Sequence, residues 1–206
     1  MVLARLRPSR RFLLRLVLAA MLMPGLGACA YMPIATLIQL RSFDLGTFDP
    51  AALRVAIQVP DYLERRPGAV VRVKAWTRPD KSDEKEHVIA MESLSDAHEL
   101  APLAAFAQAG MKTHLYRVAA RDVGVIRAVQ AEGAARHKAG QKGGGVEIKP
   151  EPKACRTRDL TPGPFPANLL ARVATGEGYL VVLRNVDLHL ELSNRGISLA
   201  EQVPPC

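Results

Sequence analysis

Short stretches in which apolar and polar residues alternate run through most of the chain and predict β-strands. The first three are LRVAIQV at 53–59, AVVRVKAW at 69–76 and HVIAMESL at 87–94. Such alternation places one set of side chains on a buried face and the other set in solvent. The charged run TRPDKSDEKE, which joins the second and third stretches, predicts a solvated hairpin loop.

The same pattern continues in the second half of the chain. Strands are predicted for KTHLYRVA at 112–119, GVEIKPEPKAC at 145–155, ANLLARVA at 167–174 and YLVVLRNVDLHLEL at 179–192. The glycine-rich GQKGGG at 140–145 has no strand before it and no Lys-Ser/Thr pair after it. It therefore predicts an ordinary loop rather than a phosphate-binding loop.

Two segments predict helices. The longer one, at about 120–138, has Asp122 near its start and basic residues before Gly140, an arrangement that suits the helix dipole. An alanine-rich stretch at about 99–109 follows the capping residue Asp96 and predicts a shorter helix. With six to eight strands, one substantial helix and no βαβ alternation, the sequence predicts an α+β domain with a mainly antiparallel, sandwich-like sheet.

The N-terminal residues have the order of a secretory signal peptide. Four arginines within the first 11 residues precede an almost wholly apolar run at 12–23, and a Pro-Gly pair follows it. The run is shorter than the roughly 20 residues that a helix needs to span a bilayer. We therefore expect 1–28 to be removed, 29–50 to form a lead-in, and 51–206 to form a single globular domain.

The end of this signal, Leu26–Cys29 (LGAC), resembles the lipobox of bacterial lipoproteins. The resemblance implies that signal peptidase II cuts before Cys29 and that this cysteine carries the lipid. Two or three acyl chains hold a protein on a membrane essentially permanently. In the sorting pattern of Gram-negative lipoproteins an Asp after the cysteine retains the protein in the inner membrane, so Ala30 favours the periplasmic face of the outer membrane. The alternative is an ordinary signal peptide followed by a structural cysteine.

Two export routes remain open for this signal. The segment SRRFLLR at 9–15 resembles a twin-arginine signal, in which Arg10 and Arg11 form the pair. Paired arginines also occur in the basic head of ordinary signals, so the general secretory route is the favoured one.

The remaining cysteines, Cys155 and Cys206, predict a disulfide, because an even number of thiols in an oxidising compartment is typical of one. Closing a loop of this size would stabilise the domain by about 4 kcal/mol in the chain-entropy model. The alternatives are a mixed disulfide with a partner and two free thiols. No CxxC or Cys/His spacing predicts a zinc site.

Charge and composition argue against nucleic acid as a partner. The formal net charge of +8 includes five arginines of the predicted signal; without them, 23 basic residues face 20 acidic ones. Aromatic residues, on which bases stack, make up only 5% of the chain.

One constellation invites a chemical interpretation, the sequence DLHLEL at 187–192. On a strand, Asp187, His189 and Glu191 would share one face, where they are potential metal ligands or an acid/base cluster. Side chains two apart on a strand are about 6–7 Å apart, too far for all three to meet one ion readily. The favoured interpretation is therefore an amphipathic strand with its polar face in solvent.

No cofactor motif and no GxSxG nucleophile sequence is present, and the other histidines are scattered. The sequence therefore favours a membrane-tethered, non-catalytic module that binds or scaffolds an envelope protein. Auxiliary lipoproteins of envelope transport systems are one example of this class. The alternative is a periplasmic enzyme with an unrecognised active site. A pocket of convergent polar groups would favour the enzyme, and an exposed apolar patch would favour the module.

Overall fold

The structure, a computed structural model, describes residues 33, 46–141, 143–174 and 176–206. The predicted signal peptide, Cys29 and most of the lead-in lie outside the described residues.

Nine strands and four α-helices occur among the described residues. The strands are β1 (Arg54–Pro60), β2 (Leu63–Arg65), β3 (Val70–Trp76), β4 (Lys85–Leu94), β5 (Met111–Val118), β6 (Gly145–Glu151), β7 (Ala154–Arg156), β8 (Pro166–Arg172) and β9 (Leu180–Asp187). The helices are α1 (Ala97–Leu100), α2 (Val123–Lys138), α3 (Leu188–Ser193) and α4 (Leu199–Gln202), with 3-10 helices at Ala101–Phe106 and Ala120–Asp122.

Seven of these strands form one antiparallel sheet in the order β6-β3-β4-β5-β1-β8-β9. The short strands β2 and β7 pair separately. Strand β4 is ten residues long and pairs with β3 through its first part and with β5 through its last. This arrangement confirms the predicted α+β class, the antiparallel sheet and the charged hairpin loop between β3 and β4.

The core lies on both faces of β1. Ala56 belongs to one buried cluster, with Leu115 and Leu170, whereas Val59 belongs to a second cluster, with Phe165. The alternation in the sequence therefore divides β1 between two apolar layers rather than between core and solvent. The 3-10 helix after α1 covers the first layer through Leu103, and α4 covers the second layer through Leu199. Because both faces of β1 are covered, the prediction that only one face of this strand is buried is wrong.

Helix α2 and the 3-10 turn before it cover the predicted span of 120–138. A carboxylate oxygen of Asp122 accepts a hydrogen bond from the backbone N–H of Ala90 at 2.7 Å and so ties the start of the helix to β4. None of the residues of α2 is fully buried. The structure therefore confirms the predicted helix, which is held beside the sheet without contributing a fully buried residue.

The predicted helix at 99–109 is present but begins earlier and has two parts. Asp96 caps α1 by accepting hydrogen bonds from the backbone N–H groups of His98 and Glu99. The helix therefore starts at Ala97, and it continues as a 3-10 helix that ends at Phe106.

The C-terminal tail is held next to β7. Cys155 and Cys206 form a disulfide with their Cα atoms 5.0 Å apart. On either side of it, the N–H of Arg156 donates to the carbonyl of Pro204 at 2.9 Å, and the N–H of Cys206 donates to the carbonyl of Arg156 at 3.0 Å. This is the pairing that the cysteine count predicts, and the tail is joined to the sheet by both covalent and backbone bonds.

Candidate functional site

The three polar residues of DLHLEL do not lie on one strand. Strand β9 ends at Asp187, and Leu188 begins α3. The Asp187 carboxylate caps this helix by accepting from the N–H of His189 at 3.0 Å, and it also accepts from the N–H of Phe165 at 3.0 Å. These backbone donors, that of Phe165 above all, hold the pKa of Asp187 below its usual value.

The prediction of a strand through Leu192 is therefore wrong. Residues two apart on a helix point in nearly opposite directions, so His189 and Glu191 do not share a face. The Asp187 oxygen that would bind a metal accepts backbone hydrogen bonds instead. Among the residues that the structure describes, no three His, Cys, Asp or Glu side chains come close enough to hold a metal ion.

A cleft of about 300 Å³ lies between the C-terminal half of α2 and the ends of β3, β4 and β6. Its lining includes Trp76, His87, Glu132 and His137. The sequence did not predict that these residues lie close together, because the two histidines are 50 positions apart. Arg136 borders it and donates to the carbonyl of Thr77 at 2.6 Å, which fixes the end of α2 to the end of β3. The cleft is open to solvent, and both polar and apolar groups line it.

The opposite face of the same strands carries charged pairs. Arg72 on β3 donates to Glu86 on β4 at 2.7 Å and to Glu151 on β6 at 2.9 Å. Lys74 lies 2.8 Å from Glu84. These contacts raise the pKa of both Arg72 and Lys74, in each case chiefly through the hydrogen bond to the carboxylate. The surface is thus a lattice of alternating charges rather than a patch of one sign.

The first strand of this sheet in space, β6, carries apolar side chains in solvent. Val146 is 46% exposed and Ile148 is 55% exposed. Both lie on the face toward which α2 packs, because Ile148 is paired with Val73 and Val146 with Ala75, which lines the cleft. The sequence predicts the strand, but its position at the edge of the sheet depends on pairing with a segment about 75 residues earlier.

A half-buried ion-pair network joins α1 to β1 and β8. Glu99 accepts from Arg54 at 2.9 Å and from Arg172 at 3.0 Å. The hydrogen bond from Arg54 lowers the pKa of Glu99. The guanidinium of Arg172 also lies over the ring of Tyr179, 5.4 Å from its centre. The network holds α1 and the 3-10 helix that follows it over the first apolar layer. Nothing in the spacing of Arg54, Glu99 and Arg172 along the sequence indicates this structural role.

Of the histidines, His114 on β5 is buried. Its Nε2 lies 3.1 Å from the carbonyl oxygen of Leu63 on β2. Burial lowers the pKa of His114, since the charged imidazolium would lose its hydration. The side chain joins the small β2–β7 ribbon to the main sheet.

None of the helices in the described part of the chain is both long enough and apolar enough to cross a bilayer. Comparison with protein-family models, with curated proteins and with solved structures found no significant match to this chain. Arguments about its function therefore depend on its own residues.

Proposed function

We propose that this chain is a lipid-anchored module on the periplasmic face of a Gram-negative outer membrane, where it binds or scaffolds another envelope protein, for example a component of an envelope transport system. The observation that carries the proposal is the sequence Leu26–Cys29, which resembles a lipobox and ends 17 residues before the described domain begins at Gly46.

The chain joins the domain beside α2. Arg127 donates to the carboxylate of Asp49 at 3.0 Å, and the side-chain amide of Gln130 donates to the carbonyl of Phe48 at 2.9 Å. Pro50, the next residue, is fully buried. The last described residues of the lead-in are thus fixed against the helix.

The length of the tether limits how far the domain can be from the membrane. A fully extended chain advances at most about 3.5 Å per residue, so the stretch from Cys29 to Gly46 reaches about 60 Å. A domain restricted to this layer meets other envelope proteins at a high effective concentration. That restriction favours association with a partner over turnover of a freely diffusing metabolite.

The exposed apolar side chains agree with this proposal. Val146 and Ile148 are about half exposed on an edge strand, and exposed apolar residues that cluster are typical of interaction surfaces. The alternative of a periplasmic enzyme is supported by the cleft that contains His87, Glu132 and His137, because imidazole and carboxylate groups are common general acids and bases.

Cell fractionation tests the lipid anchor, and in-cell crosslinking then compares the binding module with the enzyme. We expect the wild-type chain in the outer-membrane fraction, and we expect Cys29→Ala to appear in the soluble periplasm or as uncleaved precursor. Ala30→Ser is the matched control, because it changes the residue next to Cys29 but keeps both the anchor cysteine and the disulfide. Cys29→Ala that remains acylated on the membrane would contradict the anchor.

The binding role is tested by the effect of releasing the domain. We expect Cys29→Ala to lose both the cellular role and the reproducibly crosslinked envelope protein. We expect His87→Gln/His137→Gln to keep the cellular role. An intact role for the released domain, combined with turnover of a periplasmic metabolite that the histidine variant abolishes, would replace the module with the enzyme.

A further inference from the structure

Strand β6 ends the seven-stranded sheet, and in the described part of the chain no strand pairs with its outer side. An edge strand presents a row of backbone N–H and C=O groups that can hydrogen bond to another strand. Here the edge also carries Val146 and Ile148 in solvent. A partner that adds a strand at this edge would satisfy the backbone groups and cover both side chains.

We propose that this partner is a second copy of the chain, and that two β6 strands pair antiparallel about a twofold axis at Ile148. Such an interface is isologous, since the same strand contributes from both subunits. It names a partner that the proposed function leaves open, and it stands on the edge strand alone, whether or not Cys29 carries a lipid.

The charges of β6 are complementary to themselves in this one alignment. With the axis at Ile148, residues at equal distances on its two sides face each other, so Glu147 faces Lys149 of the partner subunit and Lys149 faces Glu147 of the partner subunit. Opposite charges at directly opposed positions stabilise an antiparallel pair, and like charges destabilise it. Two complementary pairs therefore form on the charged face of the sheet.

The neighbouring alignments lack this property. An axis at Glu147 would place the two Glu147 side chains opposite each other, and an axis at Lys149 would do the same for the two lysines. A shift of pairing by a single residue would place the apolar face of one strand beside the charged face of the other. The alignment at Ile148 is thus favoured over each of its nearest alternatives.

The apolar face of β6 fits the same alignment. Ile148 would lie against Ile148 of the partner subunit, and Val146 would lie opposite Pro150 of the partner subunit. The side chains of Val146 and Ile148, which are 46% and 55% exposed in one copy, would then be covered. Pro150 has no backbone N–H, so the dimer ladder lacks a hydrogen bond from this residue in each copy, and the remaining residues of β6 supply the backbone pairing.

Of the three charged side chains of β6, Glu147 and Lys149 make only long ion pairs with described residues of the same copy. The Lys149 ammonium is 3.7 Å from Glu151, and Glu147 is 3.9 Å from Lys81. Their side chains are 65% and 54% exposed, respectively. Both are therefore able to turn toward a partner strand without breaking a short, buried contact.

Cysteine crosslinking in the full-length chain tests the position of the axis. Residues that face each other across an antiparallel pair have Cβ atoms about 4.5–5.5 Å apart, so Ile148→Cys should give a disulfide-linked dimer after mild oxidation. Val88→Cys is the matched control, because Val88 is 50% exposed but lies on β4, between β3 and β5. Crosslinking of Ile148→Cys that does not exceed that of Val88→Cys would overturn the proposal.

Charge exchange tests the alignment without a crosslink. Glu147→Lys and Lys149→Glu each turn both complementary pairs into repulsive ones, and each should weaken dimerisation about tenfold. The combined variant restores both pairs and should dimerise as the wild type does. Sedimentation of the full-length protein in detergent measures all four, and a monomeric wild type, or a combined variant as weak as the single ones, would refute the twofold pairing.

Discussion

The side-chain amide of Asn168 on β8 donates a hydrogen bond at 3.1 Å to Oε1 of Gln58 on β1, and both side chains are almost fully buried. Gln58 in turn donates to the carbonyl of Phe106 at 2.9 Å. Oδ1 of Asn168 accepts from the backbone N–H of Asn185 at 2.7 Å. The pair therefore connects β1, β8, β9 and the 3-10 helix through one polar network.

This network also explains an irregularity in the sheet. The β8–β9 ladder shifts register between Ala167 and Leu169, and Asn185, opposite this shift, has a positive φ of 52°. A bulge leaves a backbone N–H without its ladder partner. The Asn168 side chain accepts a hydrogen bond from the N–H of Asn185 and so stabilises the bulge. The same side chain also holds Gln58 in place through its amide donor.

Asn168→Ala should therefore destabilise the domain strongly. The substitution leaves the buried Gln58 oxygen and the Asn185 N–H without their partner, and each such loss costs about 1–3 kcal/mol in the free energy of unfolding. Asn194→Ala, at an exposed helix end, is the control and should change stability by less than about 0.5 kcal/mol. Urea unfolding measures both, and equal stabilities for the two variants would contradict the role of the network.

Removal of the disulfide should lower the stability of the domain by about 4 kcal/mol, because the bond closes a loop with a sequence separation of 51. The comparison is between the wild type and Cys155→Ala/Cys206→Ala in urea. Reductant should shift the wild-type unfolding midpoint to that of the variant and leave the variant unchanged. A wild type that is insensitive to reductant after full reduction would show that the bond does not stabilise the fold.

Asp187→Ala should destabilise the domain by about 1 kcal/mol, since the carboxylate caps α3 and binds the N–H of Phe165. His189→Ala, at an exposed position of the same helix, should have little effect. Zinc should shift the melting temperature of neither the wild type nor the variants. A zinc-dependent rise that Asp187→Ala and His189→Ala each remove would instead indicate a metal site at this helix.

The Asp187 carboxylate also predicts a dependence of stability on pH. Its pKa is lower in the folded chain than the ordinary value of 3.8, so the folded state favours the ionised form. The contribution is therefore fully present above that value and is lost as the pH falls through the lower, folded value. Asp187→Asn should show a smaller loss of stability over this acidic range, and an unchanged acid profile would contradict the assignment.

His114 should make the domain less stable in mild acid. Burial lowers its pKa below the ordinary value of 6.5, so the unfolded chain takes up a proton more readily than the folded one. The stability that depends on neutral His114 is present above that value and declines as the pH falls toward the lower, folded value. His114→Gln should flatten the curve of unfolding free energy against pH over this range, and a variant with the same pH dependence as the wild type would contradict the assignment.

The strands and the long helix were predictable from the sequence because their signals are local. Alternation marks β1, β3, β4, β5 and β8, and the acidic start and basic end of α2 mark that helix to within a few residues. The three-residue strands β2 and β7 are too short for alternation to be visible, and their pairing depends on the path of the chain between them.

The failure at DLHLEL has a physical cause. Leu188, Leu190 and Leu192 alternate as in a strand, but Leu188 and Leu192 are also four apart, which is one turn of a helix. The structure packs these two against the second apolar layer and leaves Leu190 50% exposed. An Asp directly before an apolar repeat is a helix-start signal, and here that signal outweighs the alternation.

The candidate sites depend on contacts that no local pattern contains. The cleft unites Trp76, His87 and His137 only because α2 crosses the ends of the strands. The edge position of β6 follows from its pairing with β3 alone. In both cases the residue types were visible in the sequence, whereas their neighbours were set by topology.

The mass of the mature N-terminal peptide tests the central claim most directly. The account predicts that the chain purified from a Gram-negative envelope begins at Cys29 and that this residue carries a diacylglycerol, with Cys155 and Cys206 joined in the same molecule. An N-terminus at another residue, or an unmodified thiol at Cys29 in correctly exported protein, would contradict the lipid anchor.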